Sequence, residues 1–334
     1  MQTSGFTLRL SHRWGFPPNK NGGVIQLPPG MLLPRTTSLS THHPLTAEMA
    51  RSYAELGAIN HLGAPQLPSK AAVASITADL LHLLFPGFYD GDHLEGRELG
   101  PAITELLGSL EKALEKEMAK SFPKGGGGES VPSKVRSFLS RIPAVRAALK
   151  TDVEAVMAGD PAARNVEEIL LAYPGIEAIA VQRMAHELYL LGTPLLPRMM
   201  TEWAHSRTGI DIHPGATIGP SFFIDHGTGI VIGETTEIGR EVRIYHGVTL
   251  GARSVSGAES LRGRKRHPTI ENRVTIYPGA TILGGETVVG QGSTVGGGVF
   301  LTKSVPPDHL VFAEHAALKI IPKSERPRGS EYSI

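Results

Sequence analysis

From about Thr208 the chain carries a repeat that neither a helix nor a lone strand can produce. Branched aliphatic residues recur every six positions at Ile212, Ile218, Ile224 and Ile230, then slip by two and resume at Ile232, Ile238, Ile244 and Leu250. After an interruption they return at Ile270, Ile276 and Ile282, and after one extra residue at Val289, Val295 and Leu301. A helix repeats every 3.6 residues and a strand every 2.0. A period of six fits a solenoid in which each hexapeptide is one short strand plus one turn, and three hexapeptides close a triangular coil. The aliphatic side chain points inward and stacks on its counterpart one coil later. Gly215-Ala216, Gly233, Gly239, Gly279-Ala280, Gly290 and Gly296-Gly297-Gly298 fall between these positions, where tight corners need small residues. These eight are among the 39 glycines of the 334 residues, which concentrate after residue 208.

Upstream the pattern is helical. Leu80, Leu81, Leu83 and Leu84 form an apolar segment closed by Pro86-Gly87, and residues 98–121 read as an amphipathic helix carrying Leu106, Leu107, Leu110 and Leu114. The run from Lys124 to Gly128 breaks the pattern as a loop, and a second helical block spans Pro132 to about Met157. Asp160-Pro161 reads as the next helix start, with Asp as N-cap and Pro at the first helical position. Ile176, Ile179, Met184, Leu188 and Leu191 mark another apolar face. The expected organisation is an extension over 1–45, a helical domain over 46–206, the solenoid over 207–305 and a tail over 306–334. The first acid is Glu48, so the Arg- and Ser-bearing segment before it fits a disordered extension, a start codon set too early or a transit peptide.

Composition removes several functions. Thirty-three Lys and Arg against 32 Asp and Glu give no electrostatic reason for a nucleic-acid partner. The absence of cysteine excludes disulfides, thiolate metal sites and a Cys nucleophile. No apolar run approaches the ~18 residues of a membrane span, so no membrane partner is expected and the expected location is the cytoplasm, or an organelle if the acid-free segment is a targeting signal.

Within the repeats stand Asp211-Ile212-His213-Pro214-Gly215-Ala216, Ile224-Asp225-His226-Gly227-Thr228-Gly229, Tyr245-His246-Gly247-Val248-Thr249-Leu250-Gly251 and, past a long loop, Arg266-His267-Pro268. In order and spacing these segments resemble the serine O-acetyltransferases of the hexapeptide-repeat acyltransferase family, over roughly residues 155–310. The resemblance implies an α+β chain: an N-terminal all-α domain followed by a left-handed parallel β-helix. It implies transfer of an acetyl group from acetyl-CoA to the hydroxyl of L-serine, the first step of cysteine synthesis, with no metal.

A serine hydroxyl is a poor nucleophile until a base takes its proton, and His suits that task near neutral pH. His226 is assigned as the base and Asp211 as the carboxylate that orients it. They lie fifteen residues apart, close to one turn of three hexapeptides, so they are expected on neighbouring coils. The resemblance puts Arg266 on the substrate carboxylate, Asp225 and Asp160 on its ammonium group, and His267 beside the thioester. Arg183 and His186 follow Asp160 at the family's spacing. Gly251, Ala252, Pro278 and Gly279 are the implied acetyl-CoA contacts. The loop from Arg253 to Arg266 is longer and more basic than the family's, and reads equally as a CoA-phosphate contact or a solvated loop. His213 and His246 receive no separate role.

The resemblance also implies L-cysteine as feedback inhibitor and a homotrimer or dimer of trimers with sites shared between subunits. The terminal carboxylate of Ile334 is implied to insert into O-acetylserine sulfhydrylase. Three other readings stay open at this point. One keeps the fold with a sugar or homoserine acceptor. Another is a γ-carbonic-anhydrase-like metal protein using His213, His226, His246 or His267. The last is a non-enzymatic scaffold.

Overall fold

The computed structural model describes residues 43–89, 98–122, 128–253 and 263–313. The acid-free extension up to 42, most of the glycine run after Lys124, the centre of the basic loop and the tail from 314 with Ile334 lie outside the described residues. The chain divides after Ala64. In the first unit α1 (Thr46–Glu55) has no buried residue.

The second unit, Pro65–Ile334, holds the remaining helices and the solenoid together. Its helices are α2 (Lys70–Leu84), α3 (Leu99–Ser121), α4 (Val131–Gly159), α5 (Val166–Ala172), α6 (Pro174–Leu190) and α7 (Leu196–Thr208). Caps define their starts: the Ser69 side chain accepts from Ala72 N, Ser130 from Ser133 N and Asn165 from Glu168 N. Their apolar faces are the ones the periodicity marks. Leu80, Leu81, Leu84, Leu106, Leu110, Leu114, Ile176, Ile179, Met184 and Leu188 are all buried. One expectation is corrected. Asp160 does not start a helix; it is the C-cap residue of α4, and α5 begins from Asn165. The Asp-Pro pair instead opens a turn, in which Asp160 Oδ1 accepts from Ala162 N at 2.8 Å.

The solenoid is a left-handed parallel β-helix. Its strands are β1 (Asp211–Ile212), β2 (Thr217–Ile218), β3 (Phe223–Asp225), β4 (Val231–Ile232), β5 (Glu237–Ile238), β6 (Arg243–Tyr245), β7 (Thr249–Gly251), β8 (Thr269–Ile270), β9 (Thr275–Ile276), β10 (Thr281–Leu283), β11 (Val288–Val289), β12 (Thr294–Val295), β13 (Phe300–Leu301) and β14 (Leu310–Val311). They form three parallel faces, in the orders β1-β4-β7-β10-β13, β2-β5-β8-β11 and β3-β6-β9-β12-β14. Ile212, Ile232, Leu250 and Ile282 stack along the first face. Every aliphatic residue of the six-residue frame is buried except Leu301, half-covered in the last turn.

Register explains the irregularities of the frame. Asp211 pairs with Val231, twenty residues on, whereas Val231 pairs with Thr249, eighteen on. The two additional residues of the first coil sit in the corner after β3, where His226, Gly227 and Gly229 all have positive φ. Thr249 pairs with Thr281, so the interruption is an insertion into the third coil. A coil of twenty also corrects the expected placing of two site residues: Asp211 and His226 belong to the same coil, at its start and near its end, and not to neighbouring ones.

Candidate active site

Two groups of polar side chains stand at the two ends of the first face. One occupies the corner that leads from the third face into the first. β3 turns Ile224 inward, Asp225 follows, and His226 takes a left-handed backbone with φ 59°. Such a conformation is uncommon outside Gly and marks a constrained position. The next residue, Gly227, has φ 85°, and a Cβ there would lie 2.4 Å from Ile210 Cδ1. The corner therefore cannot relax, and it projects the His226 ring outward, 72% exposed, with Nδ1 3.5 Å from Asp225 Oδ1. His246 holds the same corner one coil later, its ring centroid 5.6 Å from that of His226.

Two glycines bring helices onto this corner. A Cβ on Gly159 would lie 2.8 Å from the Phe223 ring, and one on Gly175 would lie 2.9 Å from Ile224 O. The end of α4 and the start of α6 thus pack directly on β3. Asp160, just after Gly159, accepts from Tyr173 Oη at 2.6 Å through its second carboxylate oxygen. That bond, with the Ala162 amide and the nearby His226 ring, holds the Asp160 carboxyl below the usual carboxylate range, against a small opposing effect of burial. The same bond pushes the Tyr173 hydroxyl up to about 12.

The other group occupies the corner between the first and second faces. Arg266 pairs with Glu234 through Nη2, and Tyr189 donates to the other Glu234 oxygen at 3.0 Å. Arg266 Nη1 is buried with no hydrogen-bond partner among the described residues. Thr235 organises the pair that follows: its Oγ1 accepts from Arg266 N at 2.9 Å and from His267 N at 3.1 Å. Its amide donates to His267 Nδ1 at 3.0 Å. An imidazole that accepts at Nδ1 carries its proton on Nε2 when neutral. Burial, reinforced by the Arg266 charge, pushes the His267 pKa down to about 4. His267 is therefore a neutral Nε2–H donor at physiological pH. Gly233 makes room for it, since a Cβ there would fall 2.0 Å from His267 Cδ2.

The His267 shift predicts a pH dependence of folding. Unfolded His titrates near 6.5 and the folded one near 4, so between these values the unfolded chain binds more protons and stability falls as pH falls. The melting temperature of His267→Asn is expected to decline less between pH 6.5 and 4.5 than that of the wild type, by thermal denaturation at fixed protein concentration.

The remaining assigned residues divide between the groups. Asp211 opens β1 on the first face, between the two corners, and its Oδ1 accepts from Arg198 Nη1 at 3.1 Å. Gly251 ends β7, and Ala252 lines a cleft of about 530 Å³ with Arg253, Lys265, Arg266 and Lys303. Pro278-Gly279 lies at the opposite corner, where Gly279 N donates to His246 O at 3.0 Å. Arg183 is not in either group; it forms a buried pair with Asp152. His186 donates from Nδ1 to Pro214 O at 2.8 Å and fixes a corner.

The metal reading loses its ligands. His213 Nδ1 accepts from Gly215 N at 3.0 Å and burial lowers its pKa, so, like His267, it carries its proton on Nε2. Of the four histidines named for a metal, that leaves His226 and His246 within one copy, where a catalytic site uses three protein ligands. Among the described residues the one grouping of metal-ligand type is Glu202, His205 and Asp211, into which Arg198 already projects, pairing with both carboxylates.

No family model matches the chain. The plasmid-borne serine acetyltransferase of Synechococcus elongatus is 46% identical over 255 residues, which cover 72% of this chain and 80% of that relative. The chain belongs to the serine acetyltransferase family. A serine acetyltransferase of Helicobacter pylori is 52% identical over 124 residues, 37% of this chain and 69% of its own. Among solved structures, serine acetyltransferase isoform 3 of Entamoeba histolytica in complex with cysteine superposes with a TM-score of 0.66 at 32% identity, over 83% of this chain and 95% of that one. Serine acetyltransferase 1 of the same organism, in complex with L-cysteine, gives 0.62 at 33% identity over 80% and 97%.

Beside the residues expected of a serine acetyltransferase stand three that sequence reading passed over. Glu234 and Thr235 follow Gly233 in the corner, and their signal is the Gly-Glu-Thr step after the Ile230–Ile232 slip. Tyr173 lies in Tyr173-Pro174-Gly175, where Pro at the first helical position announces α6.

Proposed function

We propose that this chain transfers the acetyl group of acetyl-CoA to the hydroxyl of L-serine, giving O-acetyl-L-serine and CoA, the step that opens cysteine synthesis. The observation that carries this reading is the buried Arg266 Nη1, without a hydrogen-bond partner among the described residues, beside a neutral His267 donor. A cation left open in that position suits the carboxylate of an amino acid, because an Arg–carboxylate pair fixes orientation as well as adding energy. A neutral sugar offers it hydroxyl acceptors but no opposite charge and no bidentate match.

The two groups lie at opposite ends of one face, so we infer that a working site joins the His226 corner of one copy to the Arg266 corner of another. A trimer, or a dimer of trimers, supplies that pairing. Asp160 and Asp225 then hold the ammonium group, and Asp211 of the neighbouring copy orients His226. The His226 ring takes the hydroxyl proton as the serine oxygen attacks the thioester carbonyl. His267 Nε2–H donates to the oxygen on which negative charge develops. Collapse expels the CoA sulfur, which takes from His226 the proton that came from the serine hydroxyl. Acetyl-CoA lies between the copies, along Gly251-Ala252 of one and Pro278-Gly279 of the other, with its phosphates toward Arg253, Lys265 and Lys303.

L-cysteine carries the same ammonium and carboxylate groups, so it competes for the serine position and inhibits. The carboxylate of Ile334 is our choice for the contact with O-acetylserine sulfhydrylase. The decisive assay follows thiol release from acetyl-CoA with and without L-serine, then with L-homoserine, a sugar panel, or added L-cysteine. Release that depends on serine and falls with cysteine supports the reading; equal release with a sugar overturns it.

A further inference from the structure

We propose that Tyr173 is the residue that positions Asp160 for the substrate ammonium group, an inference that rests on the function proposed above. Asp160 stands on a turn, so its carboxylate needs anchoring from outside its own segment. One oxygen is held locally by Ala162 N at 2.8 Å. The other is held by Tyr173 Oη at 2.6 Å, from a residue thirteen positions later.

The placement of Tyr173 is built into the fold. Pro174 restricts the residue before it to extended backbone, and Tyr173 has φ −90° and ψ 112°. Gly175 then lets the first turn of α6 settle against Ile224, where any Cβ would lie 2.9 Å from a backbone oxygen. Since Ile224 immediately precedes Asp225 and His226, the contact sets Tyr173 beside those two residues. Gly159 does the same for Asp160 through Phe223. Two close-approach glycines, one on each side of β3, therefore register the Tyr173–Asp160 pair against the proposed base.

The hydroxyl has a further use. It donates its one proton to Asp160, which leaves its oxygen lone pairs free to accept from an ammonium group held between Asp160 and Asp225. The bond to Tyr173 also favours the ionised form of Asp160 that an ammonium group needs. The charged and titratable groups facing the pair are Asp225, His226, Glu168, Tyr245 and, beside Gly159, Arg243. None of them replaces the hydroxyl as a donor to Asp160 in the structure.

The test is Tyr173→Phe in the full chain, which removes one oxygen and keeps the ring. The KM for L-serine is expected to rise about tenfold, the lower end of the worth of a hydrogen bond to a charged group, with kcat changed less than twofold and the KM for acetyl-CoA unchanged. The acid-side weakening of serine binding is expected to begin at higher pH than in the wild type, because Asp160 loses the donor that favours its ionised form. A folded Tyr173→Phe with the wild-type serine KM and pH profile overturns the proposal, and so does an equal rise in both KM values. Asp160→Asn separates this from failure of the underlying reading. If Asp160→Asn weakens serine and Tyr173→Phe does not, Asp160 binds substrate unaided and the proposal falls; if neither does, the ammonium site lies elsewhere and both fall.

Discussion

Replacing His226 is expected to lower kcat by ~10²–10⁴-fold, the range over which a positioned general base contributes, while the KM for acetyl-CoA changes little. The substitution needs care, because His226 has φ 59° and Ala there adds backbone strain of its own. Asn tolerates left-handed backbone better than most residues. His226→Asn therefore removes the base and leaves the corner intact, and the two variants together separate chemistry from strain. Both are expected to lose turnover in the thiol-release assay; His226→Ala alone is expected to melt lower. Near-normal turnover by His226→Asn would end the assignment of this ring as base. The ring lies outside the core at 72% exposure, so no loss of packing competes with that interpretation.

The solenoid was legible in the sequence because its rule is one-dimensional. One inward aliphatic per hexapeptide is a pattern that a single chain displays without knowledge of neighbours, and the frame residues from Ile212 to Val295 are all buried. The helices were legible for the same reason, through their 3.6-residue faces. What the period alone did not deliver was the length of each coil. The two-residue slip between Ile230 and Ile232 was visible, but only register shows that it lengthens the corner at His226 and leaves Asp211 in the same coil.

The candidate site was legible as a list and not as an arrangement. Asp160, Asp225, His226, Arg266 and His267 are picked out by the resemblance, yet no spacing says that they divide between two corners of one face. Partners such as Tyr173 and Glu234 were missed because a hydrogen bond across thirteen or thirty-two residues leaves no periodic trace. Asp160 shows the limit in one residue. Asp-Pro is a sound local signal for a helix start, but α4 runs through to Gly159, and the packing of that glycine on Phe223 decides where the turn goes.

Arg183 marks where the second large effect is expected. It extends the family spacing upstream of the solenoid, and the structure gives it mechanical work. Its Nε and Nη2 donate to the two Asp152 oxygens at 2.8 and 2.9 Å, and its Nη1 and Nη2 donate to Ile218 O and Gly219 O at 2.9 and 2.8 Å. Asp152, with no exposed surface, also accepts from Phe222 N at 2.9 Å. Burial pushes the Asp152 carboxyl up, against the pull of Arg183 and of that amide. These bonds fasten α4 and α6 to the corner between β2 and β3, immediately upstream of Asp225 and His226. Asp152→Ala strands a buried guanidinium and an amide, and is expected to destabilise the chain by ~3–5 kcal/mol, the cost of breaking a buried pair from one side. Because β3 loses its anchor, kcat should fall in the folded fraction as well. Asp152→Leu combined with Arg183→Met removes both charges at similar volume. It is expected to recover part of the urea midpoint at equal protein concentration, since removing both charges removes the cost of an unpaired one while the Phe222 amide stays without its acceptor. The double variant still lacks donors to Ile218 O and Gly219 O, so its activity is expected to recover less than its stability. A single Asp152→Ala with the wild-type midpoint would show that the corner is held by its hydrophobic contacts, Phe222 and Phe223, and not by this pair.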